Sequence, residues 1–160
     1  MDGTYEQNIA ALNKELDTWY KANRVESRIQ GPLTKDRIRT GNSWPKLKAK
    51  AAATRHVIPF CLVLASKYLD KRRVALCQQL CSFYSLMDSE AMFLGDEAKH
   101  RLPKLGRQMC GLVASLSSLA LESGQKAWKM TPKVHLMLHL CEWQSQVMNP
   151  RFFGSIRTRT

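Results

Sequence analysis

Apolar residues recur at helical spacing along most of the chain, and this periodicity limits the possible folds more than any other feature. In "TYEQNIAALNKELDTWYKAN" they lie three and four residues apart, on one face of a helix: Tyr5, Ile9, Leu12, Leu16 and Trp19. Thr4 and Gln7 have the spacing of a capping box. Strand-like alternation and fixed-period repeats are absent from the sequence. We therefore predict an all-α fold, a single bundle of five to seven helices with a long basic loop near the N-terminus.

Proline and capping residues indicate where further helices begin and end. Ser43, followed by Pro45, is expected to open a second helix, and Pro59 should end or kink it because a proline inside a helix removes a hydrogen bond. Asp70 can cap the next helical pattern. Pro103 is expected where another helix begins or bends.

The length of 160 residues suits one ordinary domain, which we divide into three parts. Residues 1–22 are predicted to form an N-terminal amphipathic helix, and residues 43–160 a helical domain. Between them, residues 23–42 are predicted to be a basic linker or loop, because helical periodicity lapses there and Gly31 and Pro32 interrupt it.

The chain is strongly basic, with 25 Lys and Arg against 13 Asp and Glu and a net charge of +12, which favours polyanionic partners. Nine of these cations lie between residues 23 and 55, where only two residues are acidic. Closely spaced cations bind DNA or RNA phosphates by releasing counterions, so we predict nucleic-acid binding through this region. The predicted contacts are Arg37, Arg39, Lys46, Lys48 and Lys50 to phosphate, Trp44 to a stacked base, and Asn42 and Ser43 as further phosphate donors.

The same charges have other interpretations. They fit a solvated loop and helix face, or a basic segment that serves nuclear targeting. A different class of function is a helical protein–protein interaction module, whose apolar grooves hold a partner protein while the positive charge recruits acidic surfaces. Steep salt dependence of binding would favour nucleic acid over such a module.

The segment "TPKVHLMLHLCEW", residues 131–143, concentrates histidine in an apolar run that opens with a helix-initiating proline. Four polar side chains fall within about 60° of one another on its helical wheel: His135, His139, Glu142 and Gln146. Two histidines four residues apart can chelate zinc, which makes His135, His139 and Glu142 weak metal candidates. The favoured interpretation is a solvated line on an otherwise buried helix. A further alternative is a stripe that contacts nucleic acid or lies beside a catalytic site.

Five scattered cysteines are most simply small buried hydrophobes in a reducing compartment. Cys77 and Cys81 are also four residues apart, and with His135 and His139 they would nominally complete a zinc site. Burial in the core is the better interpretation, because apolar residues share their side of the helix. We therefore expect no cofactor, with zinc as the alternative.

Several classes of protein lack support in this sequence. It contains no Gly-rich phosphate loop, no nucleophile elbow and no paired carboxylates, so a complete enzyme is not expected. The first twenty residues carry charges and lack the apolar core of a secretory signal, and the longest apolar run is too short to span a bilayer. We expect a nuclear or cytoplasmic protein without a membrane partner.

Residues 131–153 resemble the C-terminal "PKxHxxxH" segment of KDZ-type and related eukaryotic DNA transposases, through "TPKVHLMLHLCEW" and the following "NPRFF". The matching residues are Pro132, Lys133, His135 and His139. In that group the segment follows a mostly helical insertion and precedes the last acidic residue of an RNase H-like core, which cuts and joins DNA with two metal ions. No acidic residue follows Glu142 here, so the resemblance implies a non-catalytic fragment or truncated relic of a mobile-element protein.

Overall fold

The computed structural model describes residues 3–39, 44 and 47–152 of the chain, and no strand occurs among them. The elements in chain order are α1 (Tyr5–Ala22), α2 (Lys35–Ile38), α3 (Ala51–Tyr68), α4 (Lys71–Ser89), α5 (Asp96–Glu122), α6 (Pro132–His139), a π-helical turn (Leu140–Gln144), α7 (Ser145–Val147) and a 3-10 turn (Pro150–Phe152). Six of the α-helices have four residues or more. The predicted all-α fold with five to seven helices is confirmed.

Helix α1 begins as its sequence predicts. The side chain of Thr4 accepts a hydrogen bond from the backbone N–H of Gln7, and the side chain of Gln7 accepts one from the backbone N–H of Thr4. This capping box satisfies two donors at the open end of the helix. Leu16 and Tyr20 are the buried residues of α1 and face the core.

The segment after α1 is a loop whose described part packs against the helices. Ile29 and Leu33 are buried. Two hydrogen bonds join Asn13 of α1 to the backbone of Leu33. The Oδ1 atom of Asn13 accepts from the backbone N–H of Leu33 at 2.7 Å, and its Nδ2 atom donates to the carbonyl of Leu33 at 2.9 Å. The backbone N–H of Ile29 donates to the hydroxyl of Tyr20. Residues 23–39, the described part of this segment, therefore pack against α1, and the division of the chain at residues 23–42 stays a prediction.

Both prolines lie inside helices, and the second helix begins later than predicted. Pro59 lies within α3 and does not end it, and Pro103 lies within α5, which begins at Asp96. The alternatives, a kink at Pro59 and a bend at Pro103, stay predictions. The predicted helix start at Ser43 and Pro45 lies outside the described residues. Residues 47–50 are not helical, however, and α3 begins only at Ala51.

The core consists of two apolar clusters. The first joins α1, the following loop and α3 through buried Leu16, Tyr20, Ile29, Leu33, Ala53, Val57 and Phe60. The second joins α4, α5 and the π-helical turn, and includes buried Leu76, Phe83, Leu86, Met87, Leu102, Met109, Leu116 and Cys141. Helix α4 packs against both α3 and α5 and so connects the two halves. None of the described helices combines the length and the apolar character that a membrane span requires.

The helix that carries the histidines lies at the surface of the bundle. Helix α6 contains no fully buried residue, and Leu136, Trp143 and Val147 are 57, 68 and 69% exposed. The prediction that this helix is buried on most sides is therefore wrong. Both α6 and the π-helical turn pack against α5, and in the turn Cys141 lies directly against Gly106.

Candidate functional site

Three of the residues predicted to contact nucleic acid lie outside the described part of the chain: Asn42, Ser43 and Lys46. The others are described, and they are distributed over the loop before α3: Arg37, Arg39, Trp44, Lys48 and Lys50. Their surroundings differ, so their capacity to contact a ligand differs too.

Arg37 organises the loop. Its Nη1 atom donates to the carbonyl oxygens of Gln30, Gly31 and Pro32 at 2.6, 3.1 and 2.9 Å. The backbone N–H of Lys48 donates to the carbonyl of Arg37 at 2.9 Å, which ties the two sides of the loop together. Carbonyl groups do not cancel the charge of a guanidinium, so Arg37 remains cationic while several of its donors are used.

Arg37 also lines a groove between the loop and the start of α3. The groove measures about 710 Å³. Its cationic lining residues, which together we call the basic groove, are Arg28, Arg37, Lys48 and Lys50. One acidic residue, Glu26, lines it as well. The structure therefore brings three of the predicted phosphate contacts, Arg37, Lys48 and Lys50, to one concave surface.

The first turn of α3 borders the basic groove through Ala52 and Ala53. The side chain of the N-cap residue, Lys50, makes no capping hydrogen bond, and the first turn of α3 contains no acidic residue. The first N–H groups of a helix lack partners within the helix and carry a partial positive charge. They add to the positive potential that the groove side chains create.

Arg39 points to a different part of the protein. Its Nη2 atom donates to the carbonyl of Lys126 at 2.6 Å, although the two residues are 87 positions apart. Nearby, the Nζ atom of Lys129 lies 6.0 Å from the ring centroid of Trp44, at the outer range of a cation–π contact. The loop before α3 therefore lies beside the connection between α5 and α6.

That connection is basic as well, and sequence reasoning missed it. Its cations are Lys126, Lys129 and, in the first turn of α6, Lys133, and all three are exposed. One sequence pattern could have identified these lysines: no acidic residue occurs from Ser123 to Cys141. A second stretch without acidic residues runs from Arg37 to Leu69. Outside these two stretches many arginines lie beside carboxylates, as the pairs Arg73–Asp70, Arg101–Glu97 and Arg107–Glu142 illustrate. Within the first stretch, Arg55 pairs with Asp88 of α4.

The predicted histidine pair is present. The Nε2 atoms of His135 and His139 lie 2.8 Å apart, and their rings meet edge to face at 83°. The ring of Trp143 packs against the ring of His139, with a centroid distance of 4.9 Å and an angle of 62° between the ring planes. Within the described residues, Nδ1 of His139 is buried and has no hydrogen-bond partner. His135 is exposed to solvent.

Glu142 does not join the histidines. Its carboxylate pairs with Arg107 of α5 at 2.7 Å. The π-helical turn that follows His139 has more residues per turn than an α-helix, so Glu142 is displaced from the face that a regular helix would give it. Among the described residues, no three His, Cys, Asp or Glu side chains form a group that could hold a metal ion. This applies to the set with Glu142 and to the set with Cys77 and Cys81.

The cysteines are free thiols in environments that disfavour the thiolate. Burial raises the pKa of Cys61 to about 11, with smaller contributions from Cys77 and Cys81 nearby. Burial also raises the pKa of Cys141 to about 12, with contributions from Cys110 and Glu142. These thiols are protonated at neutral pH and are poor nucleophiles or metal ligands. Cys141 is fully buried, as the interpretation of the cysteines as small buried hydrophobes requires, whereas the other four cysteines are half-buried.

In comparisons with known proteins, no protein-family model, no curated protein and no solved structure matches this chain. The resemblance of residues 131–153 to KDZ-type transposases therefore stays a prediction from the short histidine motif.

Proposed function

We propose that the chain binds nucleic acid, mainly through phosphate groups. One observation carries this proposal: Arg28, Arg37, Lys48 and Lys50 line a single groove in which Glu26 is the one acidic residue. Cations that share a concave surface raise the local potential more than the same charges spread over a sphere. The net charge of +12 would attract a polyanion to the protein from a distance.

Two further features support phosphate as the group that enters the groove. The N-terminus of α3, where the side chain of Lys50 makes no capping hydrogen bond, has backbone N–H donors beside Lys48 and Lys50, and helix N-termini favour anions. The connection between α5 and α6 brings Lys126 and Lys129 close to the same loop, so a polyanion longer than one phosphate would find cations on both segments. Trp44 lies between these segments, and base stacking on its ring belongs to the proposal.

A protein partner is the second candidate function. Leu136, Trp143 and Val147, which lie on α6, the π-helical turn and α7, are more than half exposed. Exposed apolar groups of this kind often mark protein contacts. In this alternative the basic groove would contribute long-range attraction to an acidic partner and would make no specific contact.

The experiment is a titration with single-stranded and duplex oligonucleotides at two salt concentrations. With four phosphate contacts, duplex affinity should fall roughly 100-fold between about 50 and 200 mM salt. The double substitution Lys48→Ala with Lys50→Ala should weaken binding and reduce the salt slope by about 2. The matched control is Lys71→Ala with Lys104→Ala, which removes the same charge from exposed positions of α4 and α5.

The control variant should keep most of the affinity. The proposal would be overturned if the unmodified protein bound neither the single-stranded nor the duplex oligonucleotide at low salt. Equal weakening by the groove and control variants would also overturn it, because it would mean that net charge alone is responsible. Kinship with KDZ-type transposases, which would make DNA the ligand, predicts that a DNA duplex binds more tightly than an RNA duplex of the same sequence.

A further inference from the structure

The two imidazoles of His135 and His139 present the same type of nitrogen to each other. Their Nε2 atoms are 2.8 Å apart, which is hydrogen-bond distance. The contact is a hydrogen bond in which the Nε2–H group of one ring donates to the Nε2 lone pair of the other, and either ring can be the donor. Histidines at positions i and i+4 of a helix can also bind one metal ion, which then takes the place of the shared proton.

We propose that His135 and His139 form a two-histidine site for a late first-row divalent metal ion, with Cu(II) and Ni(II) preferred to Zn(II). The Nε2 atoms are 2.8 Å apart, close enough for both to reach one ion once the ring of His135 turns. Two imidazoles with the other positions open to water suit the tetragonal or octahedral coordination of Cu(II) and Ni(II), whereas structural zinc sites enclose the ion with four protein ligands.

The surroundings hold one histidine and leave the other adjustable. His139 is half-buried and packs against Trp143, so the position of its ring is restricted. His135 is exposed, and its ring can turn so that both lone pairs meet at one point. Its exposure also leaves the remaining coordination positions open to water.

The site has no third protein ligand among the described residues, because Glu142 is held by Arg107. In addition, Nδ1 of His139 has no acceptor within that part of the chain, whereas the second nitrogen of a metal-bound histidine usually donates to one. Both features favour a weaker and more exchangeable site than the closed four-ligand sites of structural zinc. Metal binding here stands independently of the proposed nucleic-acid function.

Nickel is the probe of choice because the chain contains five free cysteines, and Cu(II) would oxidise thiols. Calorimetric titration of the purified, metal-free protein with NiCl₂ should give one site per chain. His135→Ala removes an exposed side chain and should weaken Ni(II) binding at least about tenfold, since loss of even an outer-shell partner costs about 10- to 100-fold. Zn(II) should bind more weakly than Ni(II), and Mg(II), which prefers oxygen ligands, should not compete.

The matched control is His100→Ala. His100 is another exposed helical histidine, and its Nδ1 atom contacts the carbonyl of Asp96. This variant should bind Ni(II) as the unmodified protein does, and circular dichroism should show that both variants remain helical. Equal affinity of the unmodified protein and His135→Ala would overturn the site, as would an equal loss in His100→Ala. Tighter binding of Zn(II) than of Ni(II) would overturn the preferred geometry.

Discussion

Gly106 of α5 lies directly against Cys141 of the π-helical turn. A Cβ atom on residue 106 would come within 2.7 Å of the Cβ atom of Cys141 and within 2.9 Å of its Sγ atom. Both residues are buried, and Cys141 belongs to the larger apolar cluster. The distance at which the C-terminal helical segment packs on α5 therefore depends on the missing side chain of Gly106.

Gly106→Ala should destabilise the protein by about 1 to 3 kcal/mol, because a methyl group would overpack this contact. The expected sign is opposite to the intrinsic preference of a helix, which favours alanine over glycine by about 1 kcal/mol. Gly111→Ala on the same helix is the control, since nothing lies within 4 Å of its added Cβ. It should stabilise the protein by about 0.5 to 1 kcal/mol. Urea denaturation of the two variants measures the difference, and equal stability would contradict the close contact.

Local signals in the sequence predict most of the helices. Thr4 and Gln7 cap α1 as their spacing indicates, and Asp70 accepts hydrogen bonds from the backbone N–H groups of Arg72 and Arg73 at the start of α4. These signals act within four residues, so neighbouring positions contain the information. The π-helical turn after His139 has no such local signal. A regular helical wheel does not include the extra residue of this turn, so it places Glu142 beside the histidines, whereas in the structure Glu142 pairs with Arg107.

The candidate site was predictable only where its residues are close in sequence. The density of cations before α3 identified Arg37, Lys48 and Lys50, which do share the basic groove. The density of cations did not indicate that Arg37 donates hydrogen bonds to three carbonyl groups of the loop. The contact between Arg39 and Lys126 spans 87 residues and depends on how α5 packs, which no local pattern records.

Asn149 fixes the end of α4, and it is fully buried. Its Nδ2 atom lies at 2.9, 3.3 and 3.2 Å from the carbonyl oxygens of Met87, Glu90 and Ala91. Its Oδ1 atom accepts from the backbone N–H of Arg151 at 3.1 Å. One amide group therefore satisfies backbone groups from two parts of the chain.

Asn149→Ala should cost roughly 2 to 4 kcal/mol, because it leaves buried carbonyl groups without donors and opens a cavity. Asn149→Asp keeps the shape but turns a negative oxygen toward the carbonyls, so it should be strongly destabilising at neutral pH. Acidification should partly restore its stability, since a protonated carboxyl group can donate one hydrogen bond. Thermal unfolding at about pH 4 and pH 7 tests this. The control Gln78→Glu introduces the same charge at an exposed position of α4 and should stay within about 0.5 kcal/mol.

Substitutions of Arg37 and Lys48 should affect stability differently, although both residues line the basic groove. Arg37 donates to the carbonyl oxygens of the loop, so Arg37→Ala should lower stability by about 1 to 2 kcal/mol even without any ligand. Lys48 is exposed, so Lys48→Ala should leave stability within about 0.5 kcal/mol and weaken oligonucleotide binding. Urea denaturation and binding titrations on both variants provide the comparison. An unfolding midpoint unchanged by Arg37→Ala would contradict its role in organising the loop.

The thiols of Cys61 and Cys141 should react slowly while the protein is folded. Burial raises their pKa values to about 11 and about 12, against 9.0 for an unperturbed cysteine, so little thiolate exists at pH 8. Iodoacetamide should modify both residues much faster in urea than in buffer, as peptide mass spectrometry can measure. Cys81 and Cys110 are half-buried and should react at intermediate rates in the native protein.

The same shifts make stability depend on pH in the alkaline range. The folded state holds these protons above pH 9 while the unfolded state releases them, so stability is full below pH 9 and falls as the pH rises toward 11. Unfolding in urea at pH 8 and pH 10 should show this decrease. The informative quantity is the change in the slope of stability against pH on Cys61→Ala or Cys141→Ala. Each substitution should flatten the pH dependence, whatever its effect on stability at pH 8, and an unchanged slope in both variants would exclude these thiols as its cause.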